Sequence, residues 1–268
     1  MVQIACAAWG FREKSWREYC EMTAAMGISN LEIQAGRGAP CHVLIEATAK
    51  EIEQTKKVAR ETGVRIVAVA GSSDFTSPNP AALEESIRFA QQQIDLTAQL
   101  GAEVVRLFTG GLAWESVPAL IYTRLQYALN RIGEYAESKG VKVAIENHGG
   151  PTANGATIVR MMQGVRSPAV GINYDPANFL KIGVDPLIAL RQIITWVNYT
   201  HWKDVRWVNG ETAYCGVGEG EIRWEPIIAE LQRAGYAGYW AIEYEAPEDV
   251  ERGTRDSLAF LHDLLRQT

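Results

Sequence analysis

Cysteine and histidine are scarce in this chain, runs of basic residues are missing, and no apolar stretch is long. Four cysteines occur in 268 residues, at Cys6, Cys20, Cys41 and Cys215, and none form a CxxC pair. That excludes a disulfide-stapled domain and zinc-finger spacing, and points to scattered thiols in a reduced, cytoplasmic protein. The 26 basic residues are mixed with 32 acidic ones, for a formal net charge of -6. A nucleic-acid or membrane-surface binder needs a basic face, so neither partner is expected. No apolar segment approaches the ~18–20 residues of a membrane span. Residues 1–11 lack a basic leader and soon meet Arg12, Glu13 and Lys14, which reads as a first strand rather than a signal peptide. No GxGxxG turn and no Walker-type loop appears, which argues against a nucleotide site.

What the chain does contain is one pattern repeated eight times. A short apolar or β-branched run is followed by a longer segment of helical period. The expected strands are 4–8, 30–34, 65–70, 103–108, 142–146, 170–174, 197–201 and 239–243. Several are apolar almost throughout, such as Ile66-Val67-Ala68-Val69-Ala70, which suits parallel strands covered on both faces. After Ser77-Pro78-Asn79-Pro80, apolar residues fall at Leu83, Ile87, Ala90, Ile94 and Ala98, and Gly101 ends the helix. A second helix carries Leu125, Leu129 and Ile132 and stops near Gly140. A third runs from Trp224 through Ile227, Ile228 and Leu231 to Gly235. Eight such units in 268 residues are close to the ~250 residues of a closed (β/α)₈ barrel. The expectation is a TIM barrel of one domain, residues 1–268. An open doubly wound sheet is the alternative, but the first turn, Ala8-Trp9-Gly10-Phe11-Arg12, lacks its glycine signature.

A barrel of this kind places its chemistry at the C-terminal ends of the strands. Four consecutive strands end there on Glu146, Asp175, His201 and Glu243. Each alone has an ordinary structural role: a loop cap, an Asx turn before Pro176, a core histidine, an ion-pair partner. At equivalent positions on four neighbouring strands, three unpaired carboxylates would repel at a cost of several kcal/mol. A divalent cation removes that cost. Three oxygens and one imidazole suit Mn²⁺ first, with Mg²⁺, Co²⁺, Fe²⁺ or Zn²⁺ as alternatives.

Five segments carry a family resemblance: Ala144-Ile145-Glu146-Asn147-His148-Gly149-Gly150, Tyr174-Asp175-Pro176-Ala177-Asn178-Phe179, Tyr199-Thr200-His201-Trp202-Lys203-Asp204, Gly218-Glu219-Gly220-Glu221-Ile222, and 235–243. They resemble the xylose-isomerase-like TIM barrels, among them sugar phosphate isomerases/epimerases, ketose 3-epimerases, inosose dehydratases and apurinic-site endonucleases. The resemblance spans essentially the whole chain. It implies that Glu146, Asp175, His201 and Glu243 bind one divalent metal and that Glu146 and Glu243 form an acid/base pair. The implied reaction is proton abstraction next to a carbonyl, through a metal-stabilised enediolate, on a sugar or polyol. Return of the proton to the opposite face gives epimerisation. Return to the neighbouring carbon gives isomerisation, and loss of a β-hydroxyl gives dehydration of a keto-inositol, keto-sugar or dehydroshikimate-like compound.

Substrate contacts are expected from His148, Asn178, Lys203, Arg223, Trp9 and Glu32, with Glu32 alternatively behind a metal ligand. Phe108 and Trp202 are candidate pocket walls, and Glu245 is expected to point outward or to sit in the next loop. A three-zinc endonuclease needs several histidine ligands. This chain has His42, His148, His201 and His262, and Asn178 stands where the family has histidine, which disfavours that reading. A non-catalytic sugar-binding relative is a further alternative. Monomer or homo-oligomer is left open.

Overall fold

Eight strands close into a parallel barrel because each pairs with the next and the last with the first. In a computed structural model, which describes residues 2–112, 118, 120–247 and 249–267, the barrel strands are β1 (Gln3–Cys6), β2 (Asn30–Gly36), β4 (Arg65–Ala70), β5 (Val104–Leu107), β6 (Lys142–Glu146), β7 (Val170–Tyr174), β8 (Val197–Trp202) and β11 (Tyr239–Ile242). The ladder runs β1-β11-β8-β7-β6-β5-β4-β2, and β2 returns to β1 through Cys6 and Leu31. Three further strands lie outside this ring: β3 (Val43–Leu44) on the edge of β2, and a hairpin of β9 (Asp204–Val208) and β10 (Glu211–Cys215).

Helices α1 (Trp16–Ala25), α2 (Ala49–Thr62), α3 (Pro80–Leu100), α4 (Ile121–Lys139), α5 (Gly155–Met162), α6 (Pro176–Leu180), α7 (Pro186–Ile193), α8 (Trp224–Arg233) and α9 (Val250–Gln267) follow in order. Their punctuation is chemical. Ser15 with Glu18 and Thr48 with Glu51 form capping boxes on α1 and α2. Asn79 caps α3 ahead of Pro80, and Gly101 closes that helix at φ 75, a left-handed conformation that a Cβ would strain. No helix among the described residues is long and apolar enough to cross a membrane.

Strand alternation divides the interior into two sets. Outward side chains such as Val105, Leu107, Val143, Ile145, Ile172 and Ile242 join the core between barrel and helices. The lumen holds a separate cluster rich in alanine, with Ala5, Ala7, Ala68, Ala144 and Ala241 around Tyr199 and Tyr239. These small residues leave room for the tyrosines. Above them, toward the C-terminal ends of the strands, the lumen turns polar: Glu32, Arg106, Glu146, Asn173 and His201 are all buried. Register shifts fall between Leu31 and Glu32 and between Ile172 and Asn173. Bulges of this kind re-aim side chains beside sites.

Candidate metal centre

Glu146 is the last residue of β6, Asp175 follows β7, His201 lies in β8 and Glu243 follows β11. One potential ligand atom from each lies within 4.8 Å of the others, and all four side chains are buried. Local sequence fixes their aim. Asp175 is the N-cap of α6: its Oδ1 accepts the backbone N–H groups of Ala177 and Asn178 at 2.9 and 3.1 Å. That turns Oδ2 toward the cluster. Asn147, one residue past β6, clamps the same residue, accepting its N–H at 2.7 Å and donating to its carbonyl at 2.8 Å. Asn178 donates from one amide nitrogen to Glu146 Oε1 at 2.9 Å and Asp175 Oδ2 at 3.1 Å, tying two candidate ligands together.

His201 is the pivot. Its Nε2 lies 3.0 Å from Glu32 Oε2, and both side chains are fully buried. Its Nδ1 faces Glu243 Oε2 at 3.3 Å and Glu146 Oε2 at 3.7 Å, yet has no hydrogen-bond partner. With Nε2–H given to Glu32, the lone pair of the neutral ring is on Nδ1, pointing at the two glutamates. This is how a carboxylate orients an imidazole toward a metal.

Charge supplies the second test. Arg106 Nε lies 3.2 Å from Glu146 Oε2, and Lys203 Nζ reaches Asp175 Oδ2, Glu243 Oε2 and Glu245 Oε1 at 3.0, 2.9 and 2.7 Å. With Glu32, five carboxylates thus face two fixed cations. With the His201 ring neutral the excess is three negative charges in a buried space, and with it protonated two; a divalent ion in place of that proton offsets most of it. Orphaned Nδ1, donor set and charge together fit a divalent metal.

The same charges set the proton affinities. Burial pushes His201 down, but Glu243, Glu32 and Glu146 outweigh it and hold the imidazole well above its ordinary value. Burial raises Glu146 and Glu243, and the cations reverse this, His201 with Arg106 for the first and His201 with Lys203 for the second. Asp175 is pushed up to about 7, burial prevailing over Lys203.

A cleft of about 280 Å³ opens over the cluster, walled by Trp9, Gln34, Phe108 and His148, with Arg106 and Glu243 also lining it. His148 packs edge-on against Phe108 at 5.2 Å. Trp9 is 40% exposed at the mouth. The other sequence candidates stand elsewhere. Lys203 and Asn178 are buried, with their polar atoms on the carboxylates. Glu32 sits behind His201 with no exposure. Arg223, an expected substrate contact, is exposed ahead of α8 and borders a separate surface groove with Trp207 and Pro226. Trp202 is a correction. It points out of the barrel and stacks on Trp224 and Trp240, so it walls no pocket. Glu245, expected to point outward or to lie in a loop, is in the loop after β11 and bonds Lys203. Arg106 was missed, though a lone charge inside Val104-Val105-Arg106-Leu107-Phe108 is a signal for an inward-facing polar residue.

A barrel closed in this way, with a polar group of this composition at its C-terminal mouth, defines the class of xylose isomerase-like TIM barrels. The model of that family matches residues 14–264, and the chain belongs to it. An uncharacterised protein of Bacillus subtilis, YfiH, is 27% identical over a 300-residue alignment covering 94% of this chain and 96% of YfiH. The inosose dehydratase of Geobacillus thermodenitrificans is 24% identical over 75% of this chain and 76% of its own length. Among solved structures, a D-tagatose 3-epimerase-like protein matches with TM-score 0.80 at 19% identity, covering 99% of this chain and 97% of its own. The zinc-bound IOLI protein matches with TM-score 0.82 at 16% identity, covering 99% of both chains.

Proposed function

We propose that this protein is a divalent-metal-dependent isomerase or epimerase of a sugar or polyol, with Glu146 and Glu243 as its acid/base pair. The observation that carries this reading is the facing of Glu146 and Glu243 across the unpartnered Nδ1 of His201, beneath an open cleft. Glu146, Asp175, His201 and Glu243 are the proposed ligands, with Mn²⁺ the first candidate ion. A divalent ion held there supplies Lewis acidity, which lowers the cost of negative charge on a substrate carbonyl oxygen.

The chain's own residues do the rest. One glutamate takes a proton from the carbon beside the carbonyl, and the other returns one. Both carboxyls are held below their ordinary range by the neighbouring cations, so both are ionised and ready to accept a proton at neutral pH. Asn178 and Arg106 fix Glu146. Trp9 and His148 line the entrance and are the proposed sugar contacts, an aromatic face for the C–H side of a ring and a polar edge for its hydroxyls. The four free cysteines support a reduced compartment, the cytoplasm.

Dehydration is the second reading. It is favoured by the inosose dehydratases among the relatives, one of them 24% identical over 75% of this chain. Both readings begin with the same proton removal and part afterwards. Incubation with a panel of ketoses, aldoses and keto-inositols in D₂O, followed by NMR, separates them. Exchange at the reacting carbon with an epimer or isomer as product supports the first reading. An enone absorbance supports the second. No exchange across the panel with metal present sinks both.

A further inference from the structure

Lys203 stands one residue beyond β8 and is 1% exposed, an unusual place for an ammonium group. Its ammonium donates hydrogen bonds to Glu243 Oε2 at 2.9 Å and Glu245 Oε1 at 2.7 Å and forms an ion pair with Asp175 Oδ2 at 3.0 Å. Glu243 and Asp175 belong to the proposed metal ligands. Glu245 does not, and its side chain is 14% exposed where it lines the cleft. The ring of Tyr214, carried in by the β9–β10 hairpin, lies 5.5 Å from the ammonium. Lys203 is thus enclosed among carboxylates, two of which belong to the proposed ligands.

Carboxylate oxygens have two lone-pair directions each, so one oxygen can accept from an ammonium and still face a metal. A metal held by Asp175 and Glu243 would share these carboxylates with the ammonium, and the two cations would repel each other. Resting on the metal-centre reading above, we propose that Lys203 is a resident counter-cation that shares Asp175 and Glu243 with the metal. It keeps the two carboxylates together when the metal is away and sets how tightly the metal is held. Glu245 is the tether that draws Lys203 off the ligand oxygens. Both are positioning residues. A lysine suits this task because its charge is compact, whereas the planar fork of arginine would span two oxygens of one carboxylate. Arg106 provides the contrast: it meets only Glu146 among the ligands and is itself fixed by the carbonyl of Gly71.

The test is Mn²⁺ binding by calorimetry at mildly alkaline pH, where protons compete least, together with melting temperatures with and without Mn²⁺. Lys203→Met keeps most of the stem and removes the charge. It is expected to lower the melting temperature of the metal-free protein, to tighten Mn²⁺ binding by about tenfold or more, and to enlarge the rise in melting temperature on adding Mn²⁺. Glu245→Gln frees Lys203 for Asp175 and Glu243 and is expected to weaken Mn²⁺ binding several-fold. A merely structural lysine would not give opposite signs in the two variants. Unchanged or weaker binding by Lys203→Met overturns the proposal, as does unchanged or tighter binding by Glu245→Gln. If Lys203→Met does not fold, Glu245→Gln decides alone. Failure of the unsubstituted protein to bind Mn²⁺, Mg²⁺, Co²⁺ or Zn²⁺ overturns the metal centre itself. Binding there with both variants unaltered overturns only the part given to Lys203.

Discussion

The two faces of the barrel strands obey different rules. On β6, Val143 and Ile145 point outward into the main core, while the residues between and after them, Ala144 and Glu146, point into the lumen. On β8, Trp202 stacks on Trp224 and Trp240 outside, while Tyr199 and His201 stand inside. The outer face is apolar and close-packed, so its content is volume. The upper lumen is charged and incompletely satisfied: the Asn173 side-chain amide, the Tyr199 hydroxyl and His201 Nδ1 all lack hydrogen-bond partners among the described residues. Buried polar groups without partners are rare in a face selected only for stability. Stability and chemistry are therefore separated by a single step along a strand, which makes adjacent residues the sharpest probes of the division.

The largest effect is expected inside. Glu146→Gln and Glu243→Gln should each lower turnover by about 10²–10⁴-fold while the protein remains folded, as judged by circular dichroism. Retained turnover would remove the acid/base assignment. One residue away, Ile145→Ala should destabilise the protein by about 2–5 kcal/mol, read from denaturant unfolding, and leave turnover of the folded fraction unchanged. If Ile145→Ala lowered the turnover of folded protein as far as Glu146→Gln does, the two faces would not be functionally distinct.

The division also decides what was legible in the sequence. Strand alternation and apolar runs are local, so strands 65–70, 142–146 and 170–174 coincide with β4, β6 and β7, and the repeat implies closure. The rim residues were legible because a strand's end fixes its height in the barrel. The hairpin β9–β10 was not anticipated, although Asn209-Gly210 carries its turn, both at positive φ, 53 and 84. What escaped reading depends on contacts between residues far apart in the chain. Glu32 is expected as a substrate contact or behind a metal ligand, but which ligand it stands behind depends on β2 and β8 facing each other across the lumen, and Lys203 finds Glu245 because β8 and β11 are neighbours. Asp204 likewise accepts the N–H groups of Val205, Gly218 and Ile222 and the indole N–H of Trp224, anchoring the Gly218–Ile222 turn that sequence alone marks as a motif without a partner.

Glu32→Gln tests the deeper polar layer and should have an intermediate effect. Loss of the carboxylate behind His201 should weaken Mn²⁺ binding by about 10–100-fold at the alkaline end of a titration. The pH dependence has a defined sign. The metal-free His201 holds its proton well above the ordinary histidine range, and a metal at Nδ1 must displace it. Binding therefore releases a proton, and affinity falls by about tenfold for each pH unit below the raised pKa. In Glu32→Gln that fall should begin at lower pH, because one of the carboxylates holding the proton is gone. Equal pH profiles in the two proteins would mean that Glu32 does not act through His201.

The smallest effect is expected from Arg223→Ala, and its smallness is informative. Arg223 is exposed, makes no side-chain cap on α8, and lies by the groove of Trp207 and Pro226 rather than over the lumen. Removing it should change stability by no more than about 0.5 kcal/mol and leave kcat and KM unaltered. A raised KM would mean that substrate extends over the β9–β10 hairpin to the outer surface. The outer face would then share in recognition, and the separation of packing from chemistry would hold only for the strands themselves.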